Sequence, residues 1–314
     1  MQKNKGIPQQ VDLSIIILNS NNKDLLKRCL LSIFKKTKGI TYEIIVVDNN
    51  SQDRSAEMVK KEFKDKVMVI EGKENLGYSK GNNLGIKESK GRYIILLNED
   101  TEVMNNAFKI MVDFIDSNEK AGVVGCTLYN SDLTKQEAYN DFYPKFFEAI
   151  KKSFMKEESE IEGIKKVGYV KGAAILLRRT TLEQVGLLDE QFFIFSEEID
   201  LCYRINKVGW DIYFVSQGKI MHHSGVSSRH NKDKTVAYKF RRMALHNMFR
   251  FYLKHYGTLE MNILKIKTFV KLMRDIITLI SKEKKREQLG EKLELLKTIF
   301  EEVVNTPRIP TLKK

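Results

Sequence analysis

The sequence contains few cysteines and no long apolar run. Its three cysteines, Cys29, Cys126 and Cys202, lie far apart and form no CxxC pair, which argues against a structural zinc site or a disulfide framework. This usage favours a reducing compartment. No stretch of about 18 apolar residues occurs, so we expect no simple membrane-spanning helix. The first residues include no apolar secretory core, and we therefore expect a cytoplasmic protein.

Negative charge is scarce in the C-terminal part of the chain. The net charge is +13 over 314 residues. Residues 231–314 hold 20 Lys or Arg against 9 Asp or Glu, a net of +11, which leaves +2 for residues 1–230. Basic chains often bind nucleic acid, but this charge lies on a helical tail, is not interleaved with aromatics, and accompanies no nucleic-acid motif. We therefore expect no nucleic-acid partner.

Apolar runs alternate with amphipathic stretches in the first half of the chain. The early strands are predicted at residues 13–18, 43–47, 67–71 and 93–97, and the helices between them at 23–35, 55–63 and 81–89. Later strands are predicted at 123–129, 169–178 and 212–215. This alternation predicts an α/β fold with a mostly parallel central sheet. From Val236 onward the pattern is helical, which predicts two domains, residues 11–232 and 233–314.

The run Tyr93 to Leu97 is apolar and ends abruptly at Asn98-Glu99-Asp100. The amide of Asn98 and the carboxylate of Asp100 are two positions apart, so an extended strand end points both the same way. In an open α/β sheet the ligand crevice lies at the carboxyl ends of the strands. Two oxygen ligands there suit a hard divalent cation that carries a diphosphate. Acidic residues after a strand also serve as loop or cap residues, so the tripeptide alone leaves both interpretations open.

Two further polar blocks follow predicted strands. Asp48 ends the second strand, where its carboxylate can accept a hydrogen bond from a ring N–H or a ribose hydroxyl; helix capping is the alternative, and it is favoured for Asp53. Residues 75–85 carry glycines at 77, 81 and 85, which let backbone approach a ligand closely. Their spacing matches neither GxGxxG nor a P-loop, and a turn that enters a helix is the alternative.

A helix is predicted from Ser196 to about Val208. Glu198 lies on its apolar face, whereas Asp200 lies on the other side with Arg204 as an i,i+4 partner. A helix N-terminus favours an ionised carboxylate, which suits a general base. We therefore expect Glu198 to face the site and Asp200 to form a surface ion pair.

Two adjacent histidines, His222 and His223, follow the strand predicted at residues 212–215. A histidine beside a metal–diphosphate centre can act as a metal ligand or as a hydrogen-bond donor to phosphate. Only one of the two is expected to face the site.

Together these blocks resemble the family 2 inverting glycosyltransferases of the GT-A fold, especially their rhamnosyltransferase-like branch. Over roughly residues 11–255 the motifs occur in the family's order: LSIIILNSNN, VVDNNSQD, NLGYSKGNNLGI, LLNEDT, GAAILLRR, VGLLDEQFFIFSEEIDLCYR and HHSG. The resemblance implies a nucleotide-diphospho-sugar transferase of GT-A type with a helical C-terminal extension. It implies inverting, metal-assisted transfer of a sugar, with Mg²⁺ or Mn²⁺, to a glycan or lipid-linked acceptor in cell-surface polysaccharide assembly.

The resemblance also implies roles for individual residues. It assigns the nucleotide-sugar donor to Asn19, Asp48, Asn50, Asn75, Gly77, Asn82, Asn98 and Glu99, with Asp48 at the base. It assigns the metal to Asp100 and His223. It makes Glu198 the base that deprotonates the acceptor hydroxyl, with Asp200 as the alternative.

The chain departs from the family pattern at several positions. Ser20 stands where the family usually has Tyr, Arg54 replaces a usual Gly, and Glu99 replaces a frequent Pro. Glu198 replaces an Asp, and its side chain is one methylene longer. These departures leave open a second interpretation, a catalytically impaired GT-A-fold protein that binds carbohydrate or acts as a scaffold.

The basic tail carries an apolar stripe at residues 263, 266, 269, 270, 273, 276, 277 and 280. One interpretation is a helix packed on the first domain or on a second subunit of a homodimer. The other is a helix that lies on an anionic membrane surface, which would place the protein peripherally at the inner membrane face.

Overall fold

The computed structural model describes residues 11–141, 143, 162–223 and 234–280, together with 290, 293–294 and 296–297. The chain divides into two compact units, Met1–Ser227 and Ser228–Lys314.

The first unit begins with the predicted alternation of strands and helices. Its elements are β1 (Leu13–Asn19), α1 (Lys23–Lys36), β2 (Tyr42–Asp48), α2 (Ser55–Phe63), a 3-10 turn (Lys64–Lys66), β3 (Met68–Glu71), α3 (Gly77–Glu88) and β4 (Tyr93–Asn98). Helix α3 begins at Gly77 rather than at the predicted residue 81. The backbone N–H groups of Leu76 and Gly77 donate to the side-chain oxygens of Asn49 and Asn75, so the helix starts earlier than its apolar pattern indicates.

The second half of the first unit has more strands than predicted. Its elements are β5 (Thr101–Val103), α4 (Ala107–Ser117), β6 (Ala121–Tyr129), β7 (Tyr139–Asn140), β8 (Ile164–Lys166), β9 (Tyr169–Val170), β10 (Ala174–Arg178), α5 (Arg179–Val185), α6 (Glu197–Lys207) and β11 (Asp211–His222). The strand predicted at 169–178 is two strands, which belong to different sheets. Strand β11 continues to His222, seven residues beyond the predicted end at 215.

The main sheet has the strand order β3-β2-β1-β4-β10-β6-β11-β5, with β8 paired to β11. Strands β1 to β4 are parallel, as expected. Strand β10 runs antiparallel between β4 and β6, while β6 and β11 are parallel to each other. The strands form the apolar core, in which Ile15, Ile45 and Ile95 are fully buried.

The register of the parallel strands places polar residues side by side. Asn19 of β1 is opposite Asp48 of β2, and Leu18 is opposite Asn98 of β4. The carboxyl ends of these three strands therefore form one edge, and the acidic turn after β4 begins there.

The second unit contains α7 (Lys234–Ile280), which is interrupted at Gly257, where φ is 87°. The predicted helical tail is thus confirmed over this range. Across the described residues, no helix combines the length and the apolar character needed to cross a membrane. The residues of the predicted apolar stripe differ in their exposure to solvent. Ile276 is buried, whereas Ile266, Val270 and Ile277 are 63%, 59% and 62% exposed.

Candidate active site

The ends of β1 and β2 are joined by a buried polar network. The Nδ2 group of Asn19 donates to Asp48 Oδ1 and to Ser51 Oγ, both at 3.0 Å. The backbone N–H of Ser51 donates to Asp48 Oδ2 at 2.9 Å. The Oδ1 atom of Asn19 is buried and accepts no hydrogen bond. Asp48 is therefore held in one orientation at the strand edge, and its base-binding role stays a prediction.

Asn50 and Asn82, both predicted to bind the donor, differ in their surroundings. Asn50 is exposed at this edge with a left-handed backbone, φ 62°. The Nδ2 group of Asn82 donates to the carbonyl of Tyr78 on its own helix at 3.0 Å, and the residue is buried. Asn82 thus supports α3, while Asn50 lies open to solvent.

The glycine block forms the start of α3 beside this network. Asn49, which the sequence did not single out, donates to Asn75 Oδ1 and accepts from the N–H of Leu76. Gly77 has φ 75°, and a Cβ added there would meet the Phe193 ring at 2.5 Å. Because Gly77 has no side chain, α3 can contact the segment before α6 closely. The glycine therefore has a packing role as well as the predicted role in donor binding.

The acidic turn after β4 places Asp100 almost fully buried, 5% exposed. Its Oδ1 atom accepts no hydrogen bond, and His222 Nε2 lies 3.3 Å away. The Nδ2 group of Asn98 is 3.4 Å from the same imidazole nitrogen. Asn98, Asp100 and His222 therefore converge at the carboxyl edge.

The structure places His222, and not the predicted metal ligand His223, beside Asp100, while metal binding itself stays a prediction. His223 Nε2 lies 2.8 Å from Glu102 Oε1, and its Nδ1 lies 2.7 Å from Ser131 Oγ. The pairing of β11 with β6 has a register irregularity between Val215 and Lys219. The alternation of side chains along β11 is broken there, so the apolar residues before it do not predict which side of the sheet each histidine faces. The side chain beside Asp100 belongs to His222.

The chemistry of this edge fits a divalent cation. A buried carboxylate oxygen without a hydrogen-bond partner is costly unless a cation or ligand approaches it. Asp100, with Asn98 and His222 beside it, could hold Mg²⁺ or Mn²⁺. Among the described residues no group of three or more His, Cys, Asp or Glu forms a complete metal site. An ion held here would therefore take further ligands from a diphosphate and from water.

Glu99 lies in the same turn and is half-buried. Its Oε1 atom accepts a hydrogen bond from Asn22 Nδ2 at 2.6 Å. Burial and the neighbouring charge of Asp100 raise the pKa of Glu99 to about 7. At neutral pH the turn therefore carries less negative charge than its sequence indicates.

Helix α6 begins with two glutamates after a strained turn. Phe195 and Ser196 have φ of 73° and 71°, a region that side chains rarely adopt outside functional sites. Ser196 is the N-cap residue, but its side chain makes no capping hydrogen bond. The turn therefore directs Glu197 and Glu198 into the interior without a side-chain cap.

The two carboxyl groups have different surroundings. Burial raises the pKa of Glu198, while the backbone N–H groups of residues 196, 198 and 199 and the Lys171 charge oppose that rise. Burial and the charge of Glu198 raise the pKa of Glu197 well above its usual range. Burial thus raises the pKa of both groups, but the N–H groups and the Lys171 charge stabilise the anion of Glu198 in particular, which suits Glu198 as a base.

Asp200 forms the predicted ion pair with Arg204, but the pair is not at the surface. The Asp200 side chain is fully buried, and Arg204 Nε donates to its Oδ2 at 2.8 Å. Arg204 also donates to the carbonyls of Val185 and Leu187. The expected surface position is wrong because the 185–187 segment covers this side of α6. Asp200 therefore anchors the helix, and these contacts favour Glu198 over Asp200 as the base.

Asp200→Asn is expected to lower the free energy of unfolding by about 3 kcal/mol, since it removes the anion from a buried pair and leaves the guanidinium without its counter-charge. In a protein of this size the melting temperature would fall by about 6–12 °C. Asp113→Asn is the matched control because Asp113 pairs with Lys109 at the same i,i+4 spacing but is 57% exposed. It should change stability by less than about 1 kcal/mol. Equal shifts for both variants in thermal denaturation would contradict the anchoring role.

Tyr78 is a residue of the site that the sequence pattern did not indicate. Its hydroxyl donates to the carbonyl of Gly172 at 2.9 Å, and its backbone N–H donates to the carbonyl of Phe193. Burial raises its pKa well above the usual range, and the charges of Glu197, Glu198, Glu99 and Asp100 add to the rise. Tyr78 is therefore within electrostatic reach of both the acidic turn after β4 and the start of α6. These two groups are 98 residues apart in the chain, from residue 100 to residue 198.

Several known proteins resemble this chain in sequence. The model of "Glycosyl transferase family 2" matches residues 14–186, more than half of the chain. "Low-salt glycan biosynthesis hexosyltransferase Agl10" of Haloferax volcanii is 28% identical over 200 residues, and the chain spans 62% of its length. "Rhamnosyltransferase WbbL" of Escherichia coli K12 is 23% identical over 251 residues, which cover 76% of this chain and 91% of WbbL.

The fold also resembles solved structures. The crystal structure of GalNAc-T7 with UDP, GalNAc and Mn2+ superposes with a TM-score of 0.53 at 17% identity, covering 78% of this chain and 51% of that chain. The predicted GT-A type of α/β fold is confirmed by this likeness.

Proposed function

The chain belongs to glycosyl transferase family 2, and on that premise we propose that it transfers a sugar from a nucleotide-diphosphate donor to an acceptor hydroxyl. The acceptor is a glycan or a lipid-linked saccharide in cell-surface polysaccharide assembly. The names of Agl10, a glycan biosynthesis hexosyltransferase, and WbbL, a rhamnosyltransferase, support a hexosyl transfer of this kind.

One observation carries the proposal. The carboxyl edge that ends in Asn19, Asp48 and Asn98 is linked through the start of α3 to the segment before α6, the helix that begins with the buried carboxylate of Glu198. A donor held at the strand edge would bring its sugar toward the start of α6 because of this link: Leu76 N–H donates to Asn49 Oδ1 beside Asp48, and Tyr78 N–H donates to the carbonyl of Phe193. Such an arrangement combines a polar edge for the donor and its metal ion with a base.

The chemistry is a single displacement. Glu198 accepts the proton of the acceptor hydroxyl as its oxygen attacks the anomeric carbon, while the nucleotide diphosphate departs from the opposite side. One displacement inverts the configuration and requires no enzyme nucleophile. When bound at Asp100, Mg²⁺ or Mn²⁺ would neutralise charge on the departing diphosphate. The GalNAc-T7 structure, which contains UDP and Mn2+, supports this choice of ligands.

A donor screen followed by product analysis tests the proposal. UDP-glucose, UDP-galactose, UDP-N-acetylglucosamine, GDP-mannose and dTDP-rhamnose are added with Mn²⁺, and binding is detected as a rise in melting temperature. Transfer from the binding donor to a lipid-linked saccharide extract is then followed by NMR of the anomeric proton. Inverted product supports the proposal, whereas retained configuration contradicts the mechanism. Binding without any transfer would instead support the carbohydrate-binding or scaffold alternative.

We further propose that α7 lies on the anionic inner face of the membrane. Leu259, Ile266, Val270 and Ile277 are exposed apolar residues at spacings of 7, 4 and 7, which places them on one side of a helix. Exposed Lys267 and Arg274 each precede one of these apolar residues by three positions, so positive charge borders the apolar line. Apolar insertion combined with about 1 kcal/mol for each basic residue near anionic lipid would give reversible binding.

The paired substitution Ile266→Asn and Val270→Asn is expected to reduce flotation with phosphatidylglycerol liposomes by at least about tenfold, because it removes the centre of the apolar line. Leu31→Asn is the matched control, since Leu31 is an exposed leucine, 52% accessible, on α1. Wild-type protein should float at low salt and less at high salt. Wild-type protein that stays in the soluble fraction at low salt, and that sediments as a dimer disrupted by the paired substitution, would favour the homodimer interpretation instead.

A further inference from the structure

Glu197 is a buried carboxyl group that has no role in the displacement reaction proposed for Glu198. The residue is 5% exposed, and its Oε2 atom accepts no hydrogen bond. Enclosing an acidic side chain without a partner is costly unless a ligand completes its hydrogen bonds. If Glu197 served packing alone, an apolar side chain of similar size at this position would make the folded protein more stable. The unpartnered oxygen therefore points to a ligand.

Hydrogen bonds join the segment just before Glu197 to the strand edge of the site. The start of α3 is fixed to the segment before α6, since Tyr78 N–H donates to the carbonyl of Phe193 and Ser79 Oγ donates to that of Phe192. The same end of α3 is joined through Asn75 and Asn49 to the strand edge near Asp48. Glu197 follows Phe193 by four residues, so it lies close to the elements that would hold the nucleotide.

The electrostatic surroundings separate the two glutamates in the same way. Among the carboxylates that act on Tyr78, Glu197 has the largest effect on its pKa, after burial. Burial and then Glu198 raise the pKa of Tyr169 to about 12, and Lys171 acts on Glu198 alone of the pair. Of the two, Glu197 is thus coupled more strongly to Tyr78, whereas Glu198 is coupled to Tyr169 and Lys171 as well as to Tyr78.

We infer that the carboxyl group of Glu197 holds a hydroxyl of the sugar being transferred and so selects the donor sugar. The inference rests on the proposed function, because it requires a nucleotide sugar at this edge. A carboxyl group that keeps its proton can both donate to and accept from a sugar hydroxyl, and it adds no second negative charge beside Glu198. The division of labour follows: Glu197 positions the donor sugar, and Glu198 receives the proton of the acceptor.

The test measures two binding affinities by calorimetry. One ligand is the nucleotide sugar that binds the wild type in the five-compound screen, and the other is the nucleoside diphosphate of that same donor. Glu197→Ala should weaken binding of the nucleotide sugar by at least tenfold and leave the nucleoside diphosphate within twofold. Glu197→Gln, which keeps the shape, should lie between Ala and wild type. Glu183→Gln, on an exposed position of α5, should change neither affinity.

Deoxy analogues of the same donor sugar separate a ligand contact from a structural role. Wild type should bind one deoxy analogue at least tenfold more weakly than the parent donor, and Glu197→Ala should bind the two equally. Equal losses for nucleotide and nucleotide sugar, or unfolding of both Glu197 variants, would overturn the inference and make the residue structural. Failure of every nucleotide sugar to bind wild type would instead overturn the proposed function itself.

Discussion

Glu198→Gln is expected to lower kcat for sugar transfer by at least about a hundredfold while donor affinity stays within threefold of wild type. Glutamine keeps the shape of the side chain but cannot accept the acceptor proton, and loss of a general base costs about 10² to 10⁴ in rate. Donor binding survives because glutamine keeps the size and shape of glutamate, and in the proposed division of roles Glu197 and not Glu198 holds the donor sugar. The measurement is steady-state release of nucleoside diphosphate, with donor affinity determined separately by calorimetry.

Two matched variants sharpen this experiment. Glu198→Asp keeps the carboxylate and restores the residue that the family usually has, so it should retain transfer within about tenfold. Asp200→Asn should lose stability but keep kcat within about tenfold for the fraction that remains folded, because Asp200 is buried against Arg204. An active Glu198→Gln beside an inactive, folded Asp200→Asn would reverse the assignment of the base.

Asp100→Ala is expected to reduce transfer by at least about a hundredfold and to remove its dependence on added Mn²⁺. Neutralising a departing diphosphate contributes several kcal/mol to the transition state, and each 1.36 kcal/mol is a factor of ten in rate. Asp100 is the buried carboxylate of the turn with an oxygen that accepts no hydrogen bond. Transfer is measured across a Mn²⁺ titration for both proteins.

A second measurement keeps the metal prediction independent of activity. In the presence of the nucleoside diphosphate, Mn²⁺ should raise the melting temperature of wild type but not that of Asp100→Ala. Asp132→Asn is the control, because Asp132 is an exposed aspartate outside the site. Undiminished wild-type transfer in excess chelator would contradict metal dependence, as would an Asp100→Ala variant with full activity.

The parallel half of the sheet could be predicted from the sequence because its signal is local. Each of β1 to β4 is a short apolar run, and a polar residue marks its carboxyl end, as at Asp48 and Asn98. Parallel strands in one sheet bring such ends to one edge, so the location of the site followed from the same pattern. The antiparallel insertion of β10 next to β4 depends on long-range pairing, which no local pattern encodes.

The positions of Asp200 and His223 differ from those expected for a common physical reason. A helical or extended period shows which residues share a face, but it does not show what covers the opposite face. The carbonyls of residues 185–187 cover the polar side of α6, which buries Asp200. The irregularity in β11 breaks the alternation that would have indicated which histidine faces Asp100. Tyr78 was missed for a related reason, since its role arises only where α3 meets the start of α6.

A crystal structure of the protein with a nucleoside diphosphate and Mn²⁺ would show whether the carboxyl edge of the sheet is the donor site. We expect the base beside Asp48, the diphosphate along the strand edge at Asn98, and Mn²⁺ bound to Asp100 and phosphate oxygens. We also expect the terminal phosphate to point toward the start of α6, where Glu197 and Glu198 lie. Nucleotide bound elsewhere on the molecule, or bound at this edge with its phosphates directed away from α6, would show that the donor site lies elsewhere or that Glu198 is not the base.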